Sequence, residues 1–441
     1  MPGFGFTPDN GDEDESRGNN PFGFENFGEI FKQFSGMGLN LPALMASLSG
    51  QASPASLSKE MIRDISRKYL SAHGEVPVTV EDLTQIQEAI NIADLWINEA
   101  TTFPALPLTD SIALSRRDWI DSTLNGWQEL TKPLVDSMSA ALSSMLDQGL
   151  GEQGEGSGIS IPGFGPMSIS KSSINAIMAT FMSSLISTQL GQSIGALSTT
   201  VTGANDVALP LSKDIKAQLL PQNVRAWGSG LEIQEAEIRI YLALREIAAA
   251  RLFKQSPWLS GYIGEVISAY GSGIRIDINA ITQSAQDAMD SGAIDPSNPE
   301  SMASALSGGL FTPETSASQS AALEKLETLL ALIEGWIDAV VVKAATDRLP
   351  SLIKLRESQA RRRATNSPTQ QLFATLLGLE VSPRLTREAI SFWEKLEKID
   401  SISARDKIWE EAFLLPNASQ LLDPEGFSKS RKIPDDLSGL I

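Results

Sequence analysis

Beyond residue 57, apolar residues recur at intervals of three and four, which is the spacing of one helix face. The sharpest run is 318–345, where Leu323, Leu326, Leu330, Ile333, Ile337, Val340 and Ala344 alternate three- and four-residue steps and predict one long helix. The same criterion predicts a helix over 57–70, closed by His73-Gly74 with glycine in its usual C-terminal place and His73 facing the helix dipole. A helix over 80–99 should bury Leu83, Ile86, Ile90 and Ala93. Residues 115–146 should be helical with a break at Pro133. Further helices are expected over 171–197, 231–253, 263–274, 350–363, 370–377, 383–398 and 405–411, and a short extended segment over 206–211. Gly191 and Gly195 lie four apart, so two helix backbones can approach closely there. Strand alternation is nearly absent and no repeat of fixed period is visible. The expected fold class is mainly α, with few or no strands.

Where the periodicity fails, composition marks the ends of the folded unit. Residues 1–50 are rich in Gly, Phe and acid, as in Pro21-Phe22-Gly23-Phe24-Glu25, and predict a disordered acidic tail with at most a short helix over 29–34. Residues 55–427 read as a single helical domain. Within it, 149–166 is a Gly-rich flexible insertion and 296–312 a loop, and 428–441 is a C-terminal tail.

Two counts restrict the chemistry. The chain of 441 residues has one histidine, His73, and no cysteine. Disulfides, iron–sulfur clusters, zinc fingers and a catalytic thiol are therefore excluded, and a Ser-His-Asp triad could only use His73. With 35 basic and 54 acidic residues the formal net charge is −19, which argues against nucleic-acid partners and against docking on an anionic membrane. The longest charge-free stretch, 172–205, could span a bilayer in length. Between Ile174 and Val201, however, twelve of 28 residues are Ser, Thr, Asn or Gln, so it reads as buried helix and not a membrane span. The start lacks the basic and apolar regions of a secretory signal, and a cytoplasmic location is expected.

Two segments carry a family resemblance. One is Tyr241-Leu242-Ala243-Leu244-Arg245-Glu246-Ile247-Ala248-Ala249-Ala250-Arg251-Leu252-Phe253, followed by Pro257-Trp258-Leu259. The other is Leu326-Glu327-Thr328-Leu329-Leu330-Ala331-Leu332-Ile333-Glu334-Gly335-Trp336-Ile337-Asp338. Residues 95–104, 220–224 and 373–380 support them. Together they resemble the actinobacterial zincin-like metallopeptidases, a family named for zinc-dependent hydrolysis. The resemblance implies a helix carrying His-Glu-x-x-His, whose two imidazoles meet one zinc while the Glu takes a proton from the bound water, and a third ligand from a later helix. On that pattern the first His position is Arg245, the general-base position is Glu246, the second His position is Ala249 and the third-ligand candidate is Glu334. Arginine has no lone pair to give and alanine no donor at all. The expectation is a chain without a zinc cofactor: a pseudoenzyme serving as a binding or regulatory protein with a protein or peptide partner. The alternative is a hydrolase or peptidase with relocated chemistry on Glu246 and Glu334.

The residues themselves suggest what replaces the metal. Arg245 falls in the otherwise apolar stripe Ile238, Leu242, Ala249, Leu252, and a buried guanidinium needs a carboxylate. Glu334 and Asp338 share a helix face and are the candidates; the competing expectation is an Arg245 that reaches solvent at a helix edge. Glu246 reads as a polar-side residue on the face of Arg239 and Glu235, ahead of its reading as a general base. Arg356 and Arg361-Arg362-Arg363 read as a solvated basic helix end. The eight tryptophans read as core anchors.

Overall fold

The computed structural model describes residues 57–107, 112–150, 159–161, 165–167, 171–273, 316–366 and 385–431. The expected acidic tail, most of the insertion 149–166, the loop 296–312, the helix 370–377 and the supporting segment 373–380 lie outside these residues. The described elements are α1 (Lys59–His73), α2 (Val80–Ile97), α3 (Arg116–Leu150), a two-stranded antiparallel hairpin β1 (Ile159–Ile161) and β2 (Gly165–Met167), α4 (Lys171–Ser198), α5 (Pro221–Gly228), α6 (Glu235–Gln255), α7 (Leu259–Gly271), α8 (Ala317–Ala345), α9 (Leu352–Asn366), α10 (Thr386–Ile399), α11 (Ile402–Lys407) and α12 (Pro424–Arg431). The fold is mainly helical. No described helix is long and apolar enough to cross a membrane.

Local chemistry starts these helices where the sequence suggests. Ser58 accepts a hydrogen bond from the Met61 amide, and Thr79–Asp82 and Ser316–Gln319 form reciprocal capping boxes. Gly74 ends α1 at φ +77°, and the His73 ring nitrogen Nδ1 lies 2.9 Å from the Tyr69 carbonyl. The Asp82 carboxylate also pairs with Arg225, tying α2 to α5.

Four expectations are corrected. Pro133 does not break its helix: α3 runs through it, because Trp127, Leu134 and Val135 on either side are buried and hold both halves in place. Leu83 is 38% exposed, so the buried face of α2 runs through Ile86, Ala89, Ile90 and Ala93 instead. Residues 206–211 contain no strand: 206–209 form a turn and a bend, closed by the Ala208 amide on the Asn205 carbonyl, with Ala208 itself at φ +60°. The C-terminal tail begins later than expected, since α12 continues to Arg431.

The helices pack around α6. From Tyr241 to Phe253 every residue of α6 is buried, so it has no solvated face and little amphipathic pattern. It is flanked by α2, α5, α8 and α9, while α8 also packs on α7 and α10. The α1–α4 contact is close because of its glycines: a β-carbon on Gly191 would lie 2.8 Å from Ile65 Cβ, and one on Gly195 would lie 2.7 Å from Tyr69 Cβ. Trp119, Trp127, Trp336, Trp393 and Trp409 are fully buried, and Trp96, Trp227 and Trp258 are partly buried against the same core.

The signature segments supply joints as well as core. Trp258 Nε1 and Ser256 Oγ both donate to the Trp409 carbonyl at 2.9 Å. Asp406, itself buried, accepts from Thr101, Thr102 and the Trp336 indole, so the connector after α2 is fastened to α8 and α11. Asn223 donates to the carbonyls of Ser198 and Val201 and accepts from Arg116. These bonds anchor both ends of residues 199–220, the segment that crosses the site described below.

Replacing Gly195 by valine should destabilise the fold by about 2 kcal/mol through overpacking against Tyr69. Urea unfolding would show this as a lower midpoint at unchanged slope; an unchanged midpoint would mean that α1 and α4 can separate freely.

Candidate functional site

Three helices and one irregular segment bring the candidate residues together. Helix α6 supplies Arg245, Glu246 and Ala249; α8 supplies Glu334 and Asp338; α9 supplies Arg356, Arg362 and Arg363; residues 199–220 lie across them. Arg245 Nη2 lies 2.5 Å from Glu334 Oε1, with the two side chains 7% and 12% exposed. The pairing drawn from the apolar stripe is therefore present, and Arg245 does not reach solvent. Arg363 Nε approaches the same Glu334 oxygen at 3.4 Å. Asp338, one turn along α8, pairs at 2.6 Å with Arg356, which also meets Glu394.

The basic triplet is not a solvated helix end. Arg361 alone is exposed, bonded to Glu357 one turn back. Arg362 and Arg363 turn inward and both hold Asp206, at 3.1 and 2.8 Å. Arg363 Nη2 also donates to the Asp206 carbonyl at 2.8 Å, and Arg362 Nη2 to that of Thr200 at 2.5 Å. The Asp206 carboxylate closes its own turn by accepting from the amide and hydroxyl of Thr202 at 2.8 and 3.0 Å. Guanidinium groups at this end of α9 thus find a buried acid, which outweighs solvation.

Glu246 is corrected as well. It is 3% exposed and makes no pair with Arg239, which bonds Glu235 instead. Its carboxyl group accepts from the Asn205 amide at 3.1 Å, from Asn205 Nδ2 at 2.6 Å and from the Gln218 amide at 3.3 Å. The segment can come this close because residue 203 is glycine: a β-carbon there would fall 2.2 Å from Glu246 Oε2. The Ala204 amide bonds the Gln218 carbonyl and the Leu220 amide bonds the Thr202 carbonyl, so residues 202–206 and 218–220 form one folded cover.

Beneath the cover, Arg245, Glu246, Ala249, Asp206 and Arg363 line a cavity of about 10 Å³, room for about one water molecule. A second and larger pocket, about 300 Å³, opens at the head of α6 between Asp82, Ile86, Val224, Arg225, Ile233 and Ile238. Among the described residues no three or more His, Asp or Glu side chains are grouped to hold a metal ion. Sequence reasoning missed Asp206, Asn205, Gln218 and Gly203. One signal was available: Asp206 is the first charge after the uncharged stretch 172–205, and the next is Lys213. A lone acid in apolar surroundings is a candidate for a buried pair.

Comparison with known proteins settles the family. The model of the zincin-like metallopeptidases matches residues 59–428. The chain belongs to the zincin-like metallopeptidase family. A crystal structure from Chloroflexus aurantiacus, described as a "putative hydrolase with a novel fold", is similar to this zincin-like chain with a TM-score of 0.55 and 16% identity, over 86% of this chain and all of that one. At that identity the likeness concerns the fold. No curated protein matches.

Electrostatics sort the buried carboxyl groups of this zincin-like site into two kinds. Burial alone would raise Asp206 and Glu334, but Arg362 and Arg363 hold Asp206 well below the usual carboxylate range, and Arg245 and Arg363 lower Glu334. Arg245 moves the opposite way: burial opposes its charge, yet Glu334 and its neighbours raise it above the ordinary guanidinium value. Glu246 has no such cation. Burial pushes it up to about 8, the bonds from Asn205 and Gln218 pull it back, and the Asp206 charge adds to the rise. Burial also raises Asp338, against the pull of Arg356.

Two outcomes follow. Breaking the Arg245–Glu334 pair by Arg245→Met should cost about 3–5 kcal/mol, because it strands a buried carboxylate, while the double variant R245M/E334M should recover most of the loss. A denaturation double-mutant cycle measures the coupling, and additive losses would show the pair to be incidental. For Glu246, the folded state holds the proton to about pH 8 against an ordinary value of 4.5. Its contribution to stability is therefore complete below the ordinary value and is lost as pH rises through about 8. Between these limits wild-type stability should fall relative to Glu246→Gln; a difference that stays flat with pH would place the proton elsewhere.

Proposed function

We propose that this protein is a zincin-like metallopeptidase homologue in which ion pairs have taken the place of the metal, and that it works as a binding or regulatory protein without peptidase activity. The observation that carries this reading is the Arg245–Glu334 pair. The family's pattern puts the first zinc-binding imidazole at Arg245 and the third ligand at Glu334, and here those two side chains are bonded to each other at 2.5 Å. Ala249, at the second imidazole position, has no donor atom.

The residues present do not fit a zinc ion. Arg245 and Arg363 bring fixed positive charge to Glu334 from two sides, and neither guanidinium has a lone pair. Glu246 is surrounded by N–H donors from Asn205 and Gln218, where a general base would face a water. What remains is a set of ion pairs and hydrogen bonds joining α6, α8, α9 and residues 199–220, which suits a scaffold. The partner chemistry that the composition favours is a protein or peptide.

A second reading has one observation in its favour. Glu246 holds its proton near neutrality, which is the property of a general acid–base group, so a hydrolase with relocated chemistry would centre on it, with Glu334 as its charged neighbour. The small cavity and the N–H donors of Asn205 and Gln218 that occupy the Glu246 carboxyl group weigh against it.

Metal analysis of the purified protein separates the two. The expected result is no bound zinc after exposure to the metal and no chelator-sensitive peptidase activity. Stoichiometric zinc with such activity would overturn the reading. The double variant R245H/A249H should gain zinc, because it places two imidazoles four residues apart on α6 beside Glu334. Binding by this variant alone would tie the loss to these two positions.

A further inference from the structure

Residues 199–220 are joined to the helices at the site by two kinds of bond. Residues 202–206 are tied to α9 through Asp206 and to α6 through Asn205, while hydrophobic residues further on, Val207, Leu209 and Leu211, sink into the core. Within 202–206 the side-chain ties to the helices end on Glu246, Arg362 and Arg363. No helix or continuous strand runs through the segment, which is held by the isolated bridges of Leu219 to Gly203 and Ala113, and its far edge at Lys213 and Asp214 is exposed. Ala208 stands at φ +60°, a strained conformation for a non-glycine residue that the closed arrangement must hold.

The small cavity beneath this cover and the larger pocket lie along the same helix. Ile238, Leu242, Arg245 and Ala249 share one stripe of α6. Ile238 lines the larger pocket, and Leu242, Arg245 and Ala249 line the small cavity. Pro221, which follows the segment directly, is on the wall of the larger pocket. The two spaces thus lie along one helix face, and the cover lies over the smaller of them.

We propose that residues 202–206 form a strap that closes the Arg245–Glu334 site and lifts from it by local opening, without unfolding of the helical frame. Release would break the bonds of Asn205 to Glu246, those of Asp206 to Arg362 and Arg363, and the backbone bonds of Thr202 and Ala204 to Leu220 and Gln218. It would leave the Arg245–Glu334 pair intact and lay Ala249 open. This concerns access to the site and holds whether or not the site binds metal.

The absence of cysteine makes the test direct, because a single introduced thiol is the only one in the chain. Ala249→Cys reports the covered face. Ala248→Cys, fully buried and turned about 100° around α6, reports the core. Under native conditions the thiol at 249 should react with a maleimide about 100-fold faster than that at 248, as local opening outruns global unfolding. Adding Gly203→Val, whose side chain would meet Glu246, should speed labelling at 249 about tenfold and leave 248 unchanged. Equal rates at the two positions, or no response at 249 in a G203V chain that keeps its circular dichroism, would overturn the strap. If the cysteine variants fold poorly, amide exchange in the wild-type chain reads the same event: the Asn205 amide should exchange well before the amides of α6, and exchange in step with them would reject it.

Discussion

A guanidinium buried at the middle of the helical frame sets the terms for everything around it. Arg245 sits on a helix with no solvated face, where an unpaired charge would cost several kcal/mol. Glu334 answers it, but a carboxylate between two arginines leaves Arg363 with charge to spare. Asp206 takes up that charge, and Arg362 completes the set. The result is an alternation of signs that runs from α6 through α8 and α9 to residues 199–220. A divalent metal would fasten similar elements by drawing lone pairs inward. The arginines fasten them by sending N–H groups outward, which secures the acids equally well and supplies no electrophile.

Glu246 stands apart from this network although it neighbours Arg245 in sequence. A step of one residue turns the side chain by about 100° around the helix, so the two point at different surroundings. Arg245 meets α8, and Glu246 meets the backbone of the covering segment. Asp206 and Glu334 are charged because arginines hold them so; Glu246 is offered only neutral N–H donors in a dry setting and keeps its proton. Acidic groups pushed apart in this way are the raw material of acid–base catalysis. Here the protonated member is the one least exposed to any substrate.

Helix content was legible in the sequence from the spacing of its apolar residues. The three- and four-residue spacing located α8 nearly to the residue, and the Gly191–Gly195 spacing foretold the close α1–α4 contact. The Arg245–Glu334 pair was legible too, since a charge inside an apolar stripe must find its opposite. Three things escaped. Pro133 reads as a break because local sequence does not reveal the packing that carries α3 past it. Arg362 and Arg363 read as solvated because their partner lies more than 150 residues away and no spacing rule links them. Glu246 read as a surface residue because α6 is buried all round, and a helix without a polar face gives periodicity nothing to measure.

The same distribution of charge makes local release of residues 202–206 physically reasonable. Closed, the segment buries Asp206 and the inner arginines together; open, it returns those charges to water, and hydration offsets most of the lost pairing. Global unfolding has no comparable compensation, because it must also expose the apolar faces of α6 and α8. Opening at the strap therefore lies well below unfolding in free energy, provided Arg245 and Glu334 stay joined. The Arg245–Glu334 pair joins α6 to α8, and it is thus the part of the site that keeps the frame together as the cover moves.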